Sequence, residues 1–499
     1  MTDPAPTIDE IPETGTAPSR LVVVSNRLPV RVVREGGAWQ ARPGSGGLVT
    51  ALEPVLARRA GRWIGWVGVP EGPDTQNVDW DALLADTDAG FEMGAVPLEP
   101  DEVEHYYEGF ANAIIWPLFH DRVSDCDFDR RYWSAYVDVN RKFARAVLER
   151  TSPDDLVWVH DYHLFHLGRL LRDARPDQPL GFFLHIPFPP PDLFVRLPWW
   201  EGLLTALLSY DRVAVQTRRD LRNLRLCLQR LLPETVVHSD DGGMQVVSGD
   251  RTVLLEYHPI GIDAATWTEG ARSPRVETEA RELEQGLAGA AMILGVDRLD
   301  YTKGLLERLD AYELLLERRP DLHRRVALVQ LVVPSREGVA RYQTLKSELE
   351  RKVGAIDGRF GTPDWTPVRY LYRGVRREKL MALYRVARAC FVTSLKDGMN
   401  LVAKEFCACQ VDEPGALVLS RFAGAASQLK GGALLVNPHD VSGTAKTLAR
   451  ALEMPLVERA RRMRLMQRTI AEHDVHWWVE RCLAGLSREE GRAAVPAAK

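Results

Sequence analysis

Short apolar runs, rich in β-branched residues, alternate with longer amphipathic stretches along most of the chain. The runs fall at residues 21–25, 63–68, 156–160, 181–185 and 213–216 in the first half, and at 291–296, 326–332, 369–372, 390–393, 416–420 and 434–437 in the second. Successive rather than alternating apolar positions are typical of strands buried on both faces, as in a parallel sheet covered by helices. Because helical patterns separate the runs, for example over 48–59, 304–317 and 339–353, the sequence predicts an α/β protein with parallel sheets.

Two such series of strands predict two Rossmann-like domains with a cleft between their sheets. We place the joint after residues 257–263 and before the polar stretch 268–284, which gives an N-terminal domain of residues 20–263 and a C-terminal domain of residues 264–474. In doubly wound sheets, ligands bind beyond the carboxyl ends of the strands. The residues that directly follow strands are therefore the candidates for chemistry, and the cleft is the expected site.

The composition narrows the class of protein. The 499 residues are 45% hydrophobic and 27% charged with a formal net charge of −5, and no apolar run approaches the roughly 18 residues of a membrane span. A general nucleic-acid binder usually carries a basic domain, so neither nucleic acid nor a membrane is an expected partner. The six cysteines form no CxxC pair, which favours buried thiols in a reducing compartment. Residues 1–19 are rich in Pro, Thr, Asp and Glu and have no apolar core, which predicts a disordered acidic tail rather than a signal peptide. We expect a cytoplasmic enzyme or binding protein.

Basic residues follow predicted strands in both halves of the chain. Arg298 and Lys303 lie in one glycine-containing loop, where a forked guanidinium and a compact ammonium can together neutralise a diphosphate. Arg27 and Arg336 come from opposite halves and would suit a second phosphate across a cleft. The alternative is that these side chains pair with carboxylates elsewhere. No metal site is predicted, because the histidines of segment 160–163 have no further ligand cluster to complete one.

The segment 397–405 is the most specific single signal. It predicts a strand end, a tight turn permitted by Gly398, and a helix whose first backbone N–H groups favour a diphosphate. Asp397 can accept hydrogen bonds from sugar hydroxyls, and Glu405, about two helical turns later, can accept both hydroxyls of a ribose. The alternative is an amphipathic helix with a solvated Glu405. The glycine-rich residues 44–47 fit a flexible turn or an anion-binding helix start equally well.

Several motifs, in a fixed order, carry a family resemblance. They are SNRLP at 25–29, GGL at 46–48, WPLFH at 116–120, HDYHL at 160–164, FLHIPFP at 183–189, RLDYTKG at 298–304 and DGMNLVAKE at 397–405. From about residue 21 to residue 478 the chain resembles the trehalose-6-phosphate synthases, which are retaining glycosyltransferases of family 20. The resemblance implies an α/β, GT-B fold in which two Rossmann-like domains face each other across a cleft. It also implies that the C-terminal segment 475–490 packs back on the N-terminal domain.

The same resemblance implies a reaction and its residues. Glucose would pass from a nucleoside-diphosphate glucose, with UDP-glucose favoured, to glucose 6-phosphate by a front-face mechanism without a metal or other cofactor, giving α,α-trehalose 6-phosphate. The implied donor-binding residues are Gly47, His185, Arg298, Lys303, Asp397, Gly398, Met399, Asn400, Leu401, Val402 and Glu405. The implied acceptor-binding residues are Arg27, Trp66, Tyr107, Trp116, Asp161, Tyr162 and Arg336. The implied catalytic residues are Asp161, His185, Arg298, Lys303 and Asp397.

Some properties stay open at the level of the sequence. The donor base can be uracil, guanine or adenine, because residues 361–377, which would approach it, carry no diagnostic motif. The alternative enzyme glucosylates glycerol 3-phosphate, against which Trp66 and Trp116 favour a hexose acceptor. The alternative class is a non-catalytic sugar-phosphate sensor, against which the intact catalytic motifs speak. A homo-oligomer is expected from the resemblance alone.

Overall fold

Strands from the two halves of the chain form separate sheets in this computed structural model, which describes residues 20–44, 47–59, 61–239, 243–336 and 339–486. The strands of the first half are β1 (Leu21–Arg27), β2 (Val30–Glu35), β3 (Ala38–Pro43), β4 (Arg62–Trp66), β5 (Glu92–Ala95), β6 (Leu156–His160), β7 (Leu180–Phe183), β8 (Arg212–Val215), β9 (Val236–Ser239), β10 (Met244–Ser248) and β11 (Arg251–Tyr257). Those of the second half are β12 (Ala291–Arg298), β13 (Val326–Val333), β14 (Val368–Tyr372), β15 (Ala389–Val392), β16 (Ala416–Ser420) and β17 (Leu434–Val436).

Helices cover both sheets. In the first half they are α1 (Gly47–Arg58), α2 (Trp80–Ala85), α3 (Pro100–Glu102), α4 (Trp116–Phe119), α5 (Arg130–Arg150), α6 (Leu167–Ala174), α7 (Pro191–Phe194), α8 (Trp200–Leu207) and α9 (Arg218–Leu231). In the second half they are α10 (Ala264–Ala271), α11 (Pro274–Gly286), α12 (Leu305–Arg318), α13 (Ala340–Phe360), α14 (Arg377–Val386), α15 (Leu401–Ala408), α16 (Ala426–Leu429), α17 (Val441–Glu453), α18 (Leu456–Glu472) and α19 (Val475–Leu483). Within the described residues, none of these helices has both the length and the apolar character that crossing a bilayer requires.

Both sheets are doubly wound. The first has the order β5-β4-β1-β6-β7-β8-β11-β10-β9 and is parallel except for the antiparallel pairs that β10 makes with β9 and β11. The second is parallel throughout, in the order β14-β13-β12-β15-β16-β17. The strand order reverses between β1 and β6 in one sheet and between β12 and β15 in the other. These two switch points are where a doubly wound sheet leaves a crevice for a ligand.

The continuous apolar runs predicted strands reliably, whereas alternating segments escaped prediction. Every strand predicted from such a run is present, and the helix predicted over 339–353 continues to Phe360. The missed strands include the hairpin of β2 and β3 and the hairpin of β9 and β10. In β2, exposed charged residues lie beside partly buried apolar ones, because one face of the hairpin meets solvent. Such strands alternate polar and apolar positions and do not form an apolar run.

A wide-turned helix places a tyrosine pair at the end of β1. Residues Val103–Ile115 form a π-helix, in which the backbone bonds span five residues rather than four. The hydroxyl of Tyr106 donates to Asn26 Oδ1 at 2.8 Å, and this buried bond ties the helix to the switch point of the first sheet. The next residue, Tyr107, is thereby held beside the cleft.

The C-terminal helix α19 returns to the first sheet. Val475 N donates to Ile262 O at 3.1 Å, and Arg212 Nη1 donates to Arg481 O at 3.1 Å. The fully buried ring of Trp478 lies 5.0 Å from that of Trp158 and 4.9 Å from that of Phe183, measured between centroids. Over residues 20–486 the chain therefore crosses between the domains twice, once before α10 and once before α19. The part of the predicted segment 475–490 beyond residue 486 lies outside the described residues.

Removing the Trp478 ring is expected to destabilise the first domain. Truncating a buried aromatic residue to alanine typically costs about 3–5 kcal/mol, since the lost transfer free energy adds to that of the cavity. Trp478→Ala should lower the urea midpoint of unfolding, and amides of β6 and β7 should exchange faster. Val457→Ala, at a position 81% exposed on α18, is the control and should leave the midpoint unchanged. An unchanged midpoint for Trp478→Ala would show that α19 does not stabilise this domain.

Candidate active site

The carboxyl ends of the strands at the two switch points carry polar side chains. Arg27 ends β1 and Asp161 follows β6, while Arg298 ends β12 and Asp397 lies in the loop after β15. The geometry thus places basic and acidic groups of both domains at the crevice where a doubly wound fold takes its ligand.

Aromatic rings hold the guanidinium of Arg27. Its Cζ atom lies 4.2 Å from the ring centroid of Trp66 and 5.7 Å from that of Tyr107. Gly68, whose φ is +94°, leaves the space, because a Cβ atom there would lie 1.7 Å from Arg27 Nη1. Among the described residues, no carboxylate lies within the 4 Å of an ion pair with Arg27. Its positive charge is therefore available to an anionic ligand.

Arg336 reaches the same crevice from the second domain. Its Cζ atom lies 4.3 Å from the ring centroid of Trp116, and Nη2 donates to Tyr162 Oη at 3.4 Å. Asp300 Oδ2 lies 3.6 Å from its guanidinium, and the side chain also donates to the hydroxyl of Tyr342. Arg336 adopts a φ of +51°, a backbone conformation that costs energy for a residue with a side chain. Contacts from both domains therefore hold this buried guanidinium.

Three arginines act on Tyr107. Burial alone would raise the pKa of its hydroxyl, yet the positive charges of Arg336, Arg27 and Arg298 lower the pKa below its ordinary value. The stacked ring of His163, at 5.9 Å and 13°, closes another side of the phenol. The lowered pKa of Tyr107 therefore indicates that cationic side chains of both domains lie near its hydroxyl.

Trp116 offers a free donor beside these cations. Its indole Nε1 is buried and has no hydrogen-bond partner among the described residues. Arg298 Cζ lies 5.7 Å from its ring centroid. The carbonyl of Trp116 is engaged by His120 Nδ1 at 2.7 Å, and burial lowers the pKa of that histidine to about 4. An unpaired buried N–H in a wall of the cleft is satisfied when a ligand supplies an acceptor.

Lys303 and Asp397 form the second centre of charge. Lys303 Nζ donates to Asp397 Oδ2 at 2.7 Å, and Ser394 Oγ and Asn400 Nδ2 each donate to the same oxygen at 3.2 Å. Although burial alone would raise the pKa of Asp397, Lys303 lowers it below its ordinary value. The lysine predicted to bind a diphosphate therefore pairs with the carboxylate predicted to bind a sugar.

The turn before α15 differs from the prediction in one detail. The left-handed residue is Asn400, with a φ of +88°, whereas Gly398 does not have a positive φ. Glycine is required at 398 for space, because a Cβ atom there would lie 2.0 Å from the carbonyl oxygen of His185. Asn400 also caps α15, its Oδ1 accepting from Ala403 N at 3.1 Å. Gly398 thus lets the backbones of the two domains touch.

His185 is neutral and fixed. Its Nε2 lies 3.1 Å from Nδ1 of His160, and burial lowers the pKa of His185 to about 3. The backbone N–H of His185 donates to Asp161 Oδ1 at 3.2 Å. Burial raises the pKa of Asp161 to about 7, although these backbone bonds and Arg298 oppose the rise. An uncharged imidazole at this position can donate or accept a hydrogen bond from a sugar without adding charge.

Glu405 lies on the inner face of α15. Tyr384 Oη donates to Glu405 Oε2 at 2.9 Å, and burial raises the pKa of this carboxyl to about 7. The preceding residue, Lys404, is buried and donates from Nζ to Ile260 O at 2.6 Å in the connector between the domains. The solvated glutamate of the alternative interpretation is therefore wrong.

The structure groups the predicted residues into two adjoining clusters. The first contains Arg27, Trp66, Tyr107, Trp116, Tyr162, Arg298 and Arg336. The second contains Lys303, Asp397, Gly398, Met399 and Asn400 with Asp161 and His185 across from them. Leu401, Val402 and Glu405 lie on α15, and Gly47 begins α1, while Gly46 of the predicted glycine motif lies outside the described residues. In the part of the chain that the structure describes, no three His, Cys, Asp or Glu side chains are placed to hold a metal ion.

Sequence reasoning missed the residues that hold the cations. Asp300 and Tyr342 contact Arg336, and Asn112 accepts from Tyr162 Oη at 3.1 Å. Asp300 belongs to the motif at 298–304, whose sequence alone does not show that it pairs with Arg336. Tyr342 and Asn112 lie inside helical patterns, where a single polar position carries no signal.

Comparison with known proteins places the chain among sugar-transferring enzymes. The model of glycosyltransferase family 20 matches residues 19–488. Trehalose-6-phosphate synthase of Mycolicibacterium vanbaalenii is 43% identical over 486 residues, which are 96% of this chain and 98% of that protein. The corresponding protein of Mycolicibacterium smegmatis is 41% identical over 95% of this chain and 94% of its own length.

Solved structures of trehalose-phosphate synthases are also similar to this chain. The α,α-trehalose-phosphate synthase (UDP-forming) of Burkholderia xenovorans, in complex with glucose 6-phosphate, superposes with a TM-score of 0.85 at 37% identity, covering 94% of this chain and 100% of that one. The Escherichia coli protein bound with UDP-2-fluoro glucose superposes with a TM-score of 0.84 at 36% identity, covering 94% and 99%.

The buried carboxyl of Glu405 should make stability depend on pH in a defined direction. A pKa of about 7 means that the folded protein holds this proton between pH 4.5 and 7, where the unfolded chain has lost it. The stability that this group contributes is therefore present at low pH and lost as the pH rises. Glu405→Gln should gain stability relative to the original protein by about 2–3 kcal/mol between pH 5 and pH 8. Urea unfolding at the two pH values measures this gain, and a difference that does not change with pH would contradict the burial of the charge.

Proposed function

The chain belongs to glycosyltransferase family 20, and we propose that it transfers glucose from UDP-glucose to glucose 6-phosphate with retention, forming α,α-trehalose 6-phosphate. The predictions of an α/β GT-B fold, of a glycosyltransferase and of a resemblance to trehalose-6-phosphate synthases are confirmed. UDP and glucose 6-phosphate are proposed because relatives of this chain are described as UDP-forming, as bound to glucose 6-phosphate and as bound to a UDP-sugar.

The convergence of Arg27 from the first domain and Arg336 from the second on aromatic side chains of one crevice is the observation that carries the proposal. A phosphate dianion placed between Arg27 and Arg336 would receive charge-assisted hydrogen bonds from both domains at once. Trp66 and Trp116 supply flat apolar walls for a sugar, and the free indole N–H of Trp116 supplies a donor. Asp161 and Tyr162 complete the acceptor pocket in this proposal. The acceptor can bind fully only when the domains are closed.

The donor would occupy the second cluster together with Arg298, whose guanidinium lies beside Trp116 of the first cluster. Arg298, Lys303 and the first backbone N–H groups of α15 would hold the diphosphate, and Glu405 would accept both ribose hydroxyls. Asp397 and His185, with Gly47, would hold the transferred glucose, while the backbone of residues 398–402 follows the donor. Lys303 is now paired with Asp397. Donor binding would draw Lys303 to the diphosphate and free the carboxylate for sugar hydroxyls.

The proposed chemical step needs no covalent bond to the enzyme. The bond between the glucose C1 and the diphosphate oxygen breaks, and its electron pair leaves with the nucleotide. The acceptor hydroxyl forms the new bond to C1 from the same face, and its proton passes to the departing phosphate oxygen. Arg298, Lys303 and the start of α15 stabilise the charge that develops on the leaving group. The closed cleft holds both substrates together and excludes water, which would otherwise hydrolyse the donor.

Other parts of the assignment remain predictions. They are the absence of a metal requirement, the homo-oligomeric state, the cytoplasmic location and the division of roles between an acceptor domain and a nucleotide-sugar domain.

Product analysis tests the proposed reaction. Purified protein is incubated with UDP-, GDP- or ADP-glucose, each with glucose 6-phosphate or glycerol 3-phosphate, and with EDTA in a parallel series. We expect UDP release and trehalose 6-phosphate only with UDP-glucose and glucose 6-phosphate, unchanged by EDTA. Turnover of glycerol 3-phosphate would support the alternative enzyme, and binding of sugar phosphate without nucleotide release would support a sensor.

Substitutions in the two clusters should separate acceptor from donor effects. Arg27→Gln and Arg336→Gln each remove a charged hydrogen bond to the acceptor phosphate, so each should raise the KM for glucose 6-phosphate by roughly 10–100-fold, as expected for such bonds. Arg298→Gln and Lys303→Gln should mainly lower kcat, by about 100-fold or more, because they stabilise the leaving group.

The exposed Arg145 on α5 provides the charge-matched control, and Arg145→Gln should leave both constants unchanged. Equal losses in kcat for all four site variants, with the KM for glucose 6-phosphate unaffected, would contradict the assignment of separate pockets.

A further inference from the structure

A second cavity lies between the domains, on the side where the chain crosses from one to the other. It has a volume of about 880 Å³ and shares no lining residue with the predicted donor and acceptor sets. The first domain contributes residues 216–219 and 256–259, the second contributes the segment around 421–430, and the crossing contributes Trp477 and Arg481. An occupant of this cavity would touch both domains.

The lining is strongly basic. Arg218, Arg421, Lys430 and Arg481 line the cavity, and none of them has a carboxylate within 4 Å in the described parts of the chain. Of the described lining residues, Glu256 alone is acidic, and Arg212 Nη1 lies 2.9 Å from its carboxylate. Several unpaired cations around a neutralised carboxylate favour an anionic occupant over a cationic one.

Buried polar atoms in the lining lack partners. His258 is only 8% exposed, and its Nε2 atom makes no hydrogen bond within the described residues, although Glu256 Oε2 lies 3.4 Å away. Gln428 Oε1 and the Nε and Nη2 atoms of Arg219 are likewise buried without a hydrogen-bond partner among the described residues, although Asp220 Oδ1 lies 3.8 Å from Arg219 Nε. Since buried polar groups are almost always satisfied, these atoms offer hydrogen bonds to a polar ligand in the cavity.

The start of helix α9 and two aromatic rings also line the cavity. The 14-residue helix α9 begins at the cavity, where its cap Thr217 and its first residues Arg218 and Arg219 are all part of the lining. The positive end of a helix favours a phosphate. Tyr257, whose hydroxyl accepts from Arg218 Nε at 2.7 Å, and Trp477 provide flat walls on which a sugar ring can pack.

We propose that this cavity is a second anion-binding site, which takes a small phosphorylated molecule and is distinct from the donor and acceptor pockets. The phosphoryl group lies among Arg219, Arg421 and Arg481 near the start of α9, and His258 Nε2 and Gln428 face the remainder of the ligand. Free phosphate and a sugar phosphate share this chemistry.

Backbone hydrogen bonds join the lining of the cavity to the loop that carries Asp397. Gly424 lines it and donates from its backbone N to Asp397 O at 3.1 Å, and the neighbouring Ala425 N donates to Met399 O at 2.8 Å. A Cβ atom at Gly424 would lie 1.9 Å from Gly398 O, so the two loops are in contact. A ligand that binds both domains here stabilises the closed arrangement and, by reciprocity, binds more tightly when the active site is filled.

Calorimetric titration with inorganic phosphate tests the site. The background protein carries Arg27→Gln, Arg298→Gln and Arg336→Gln, which removes three arginines of the active-site cleft. This protein should still bind phosphate, and adding Arg421→Gln with Arg481→Gln should weaken that binding at least tenfold. The matched control adds Arg461→Gln with Arg468→Gln, two exposed positions on α18 outside the lining, and should bind as the background does.

Two results would overturn the proposal: no phosphate binding by the background protein, or binding that Arg421→Gln with Arg481→Gln leaves unchanged. If the background variant fails to fold, the wild-type protein provides the readout, because Arg421→Gln with Arg481→Gln should remove one binding equivalent from it. Repeating the titration with glucose 1-phosphate distinguishes the sources. Tighter binding than phosphate identifies a sugar phosphate, and equal affinity identifies free phosphate as the ligand.

Discussion

Uncompensated positive charge in a closed cleft is the constraint on which this structure depends. Arg27 and Arg298 carry no carboxylate partner among the described residues, and Arg336 has only one at 3.6 Å. Like charges repel strongly where solvent is scarce, so the protein must hold them with aromatic faces, tyrosine hydroxyls and backbone. Trp66 and Tyr107 do this for Arg27, and Trp116 with Tyr342 does it for Arg336. An anionic ligand that binds between these side chains relieves the repulsion.

The sheet architecture could be predicted from the sequence, because strands buried on both faces are apolar at successive positions. Strands such as β6 and β13 are apolar at almost every position, and a parallel sheet between helices allows little else. The hairpin of β2 and β3 forms no continuous apolar run, because polar residues occupy the face that meets solvent. The π-helix of residues 103–115 was also invisible, since one extra residue per turn changes the backbone without a distinctive composition.

The location of the charged residues at the cleft could be predicted, because they lie at or just after the carboxyl ends of parallel strands. Arg27 and Arg298 end parallel strands, Asp161 and Asp397 lie in the loops after parallel strands, and the topology brings those ends to the cleft. Supporting residues were not predictable, because Asp300 and Tyr342 act through a neighbour that the linear sequence does not reveal. The function of Gly398 was misjudged for the same reason. The sequence suggests a turn, but the glycine is required by the carbonyl of His185, which belongs to the other domain.

Titration of Tyr107 measures the central interaction most directly. The protein is labelled with tyrosine carrying carbon-13 at Cζ, and Tyr107→Phe assigns the resonance. If cations of both domains converge on this phenol, its pKa lies below 10 in the free protein and rises when glucose 6-phosphate neutralises them. Arg336→Gln should raise it as well. A pKa above 10 that responds to neither the ligand nor the substitution is what burial alone produces, and it would contradict the account.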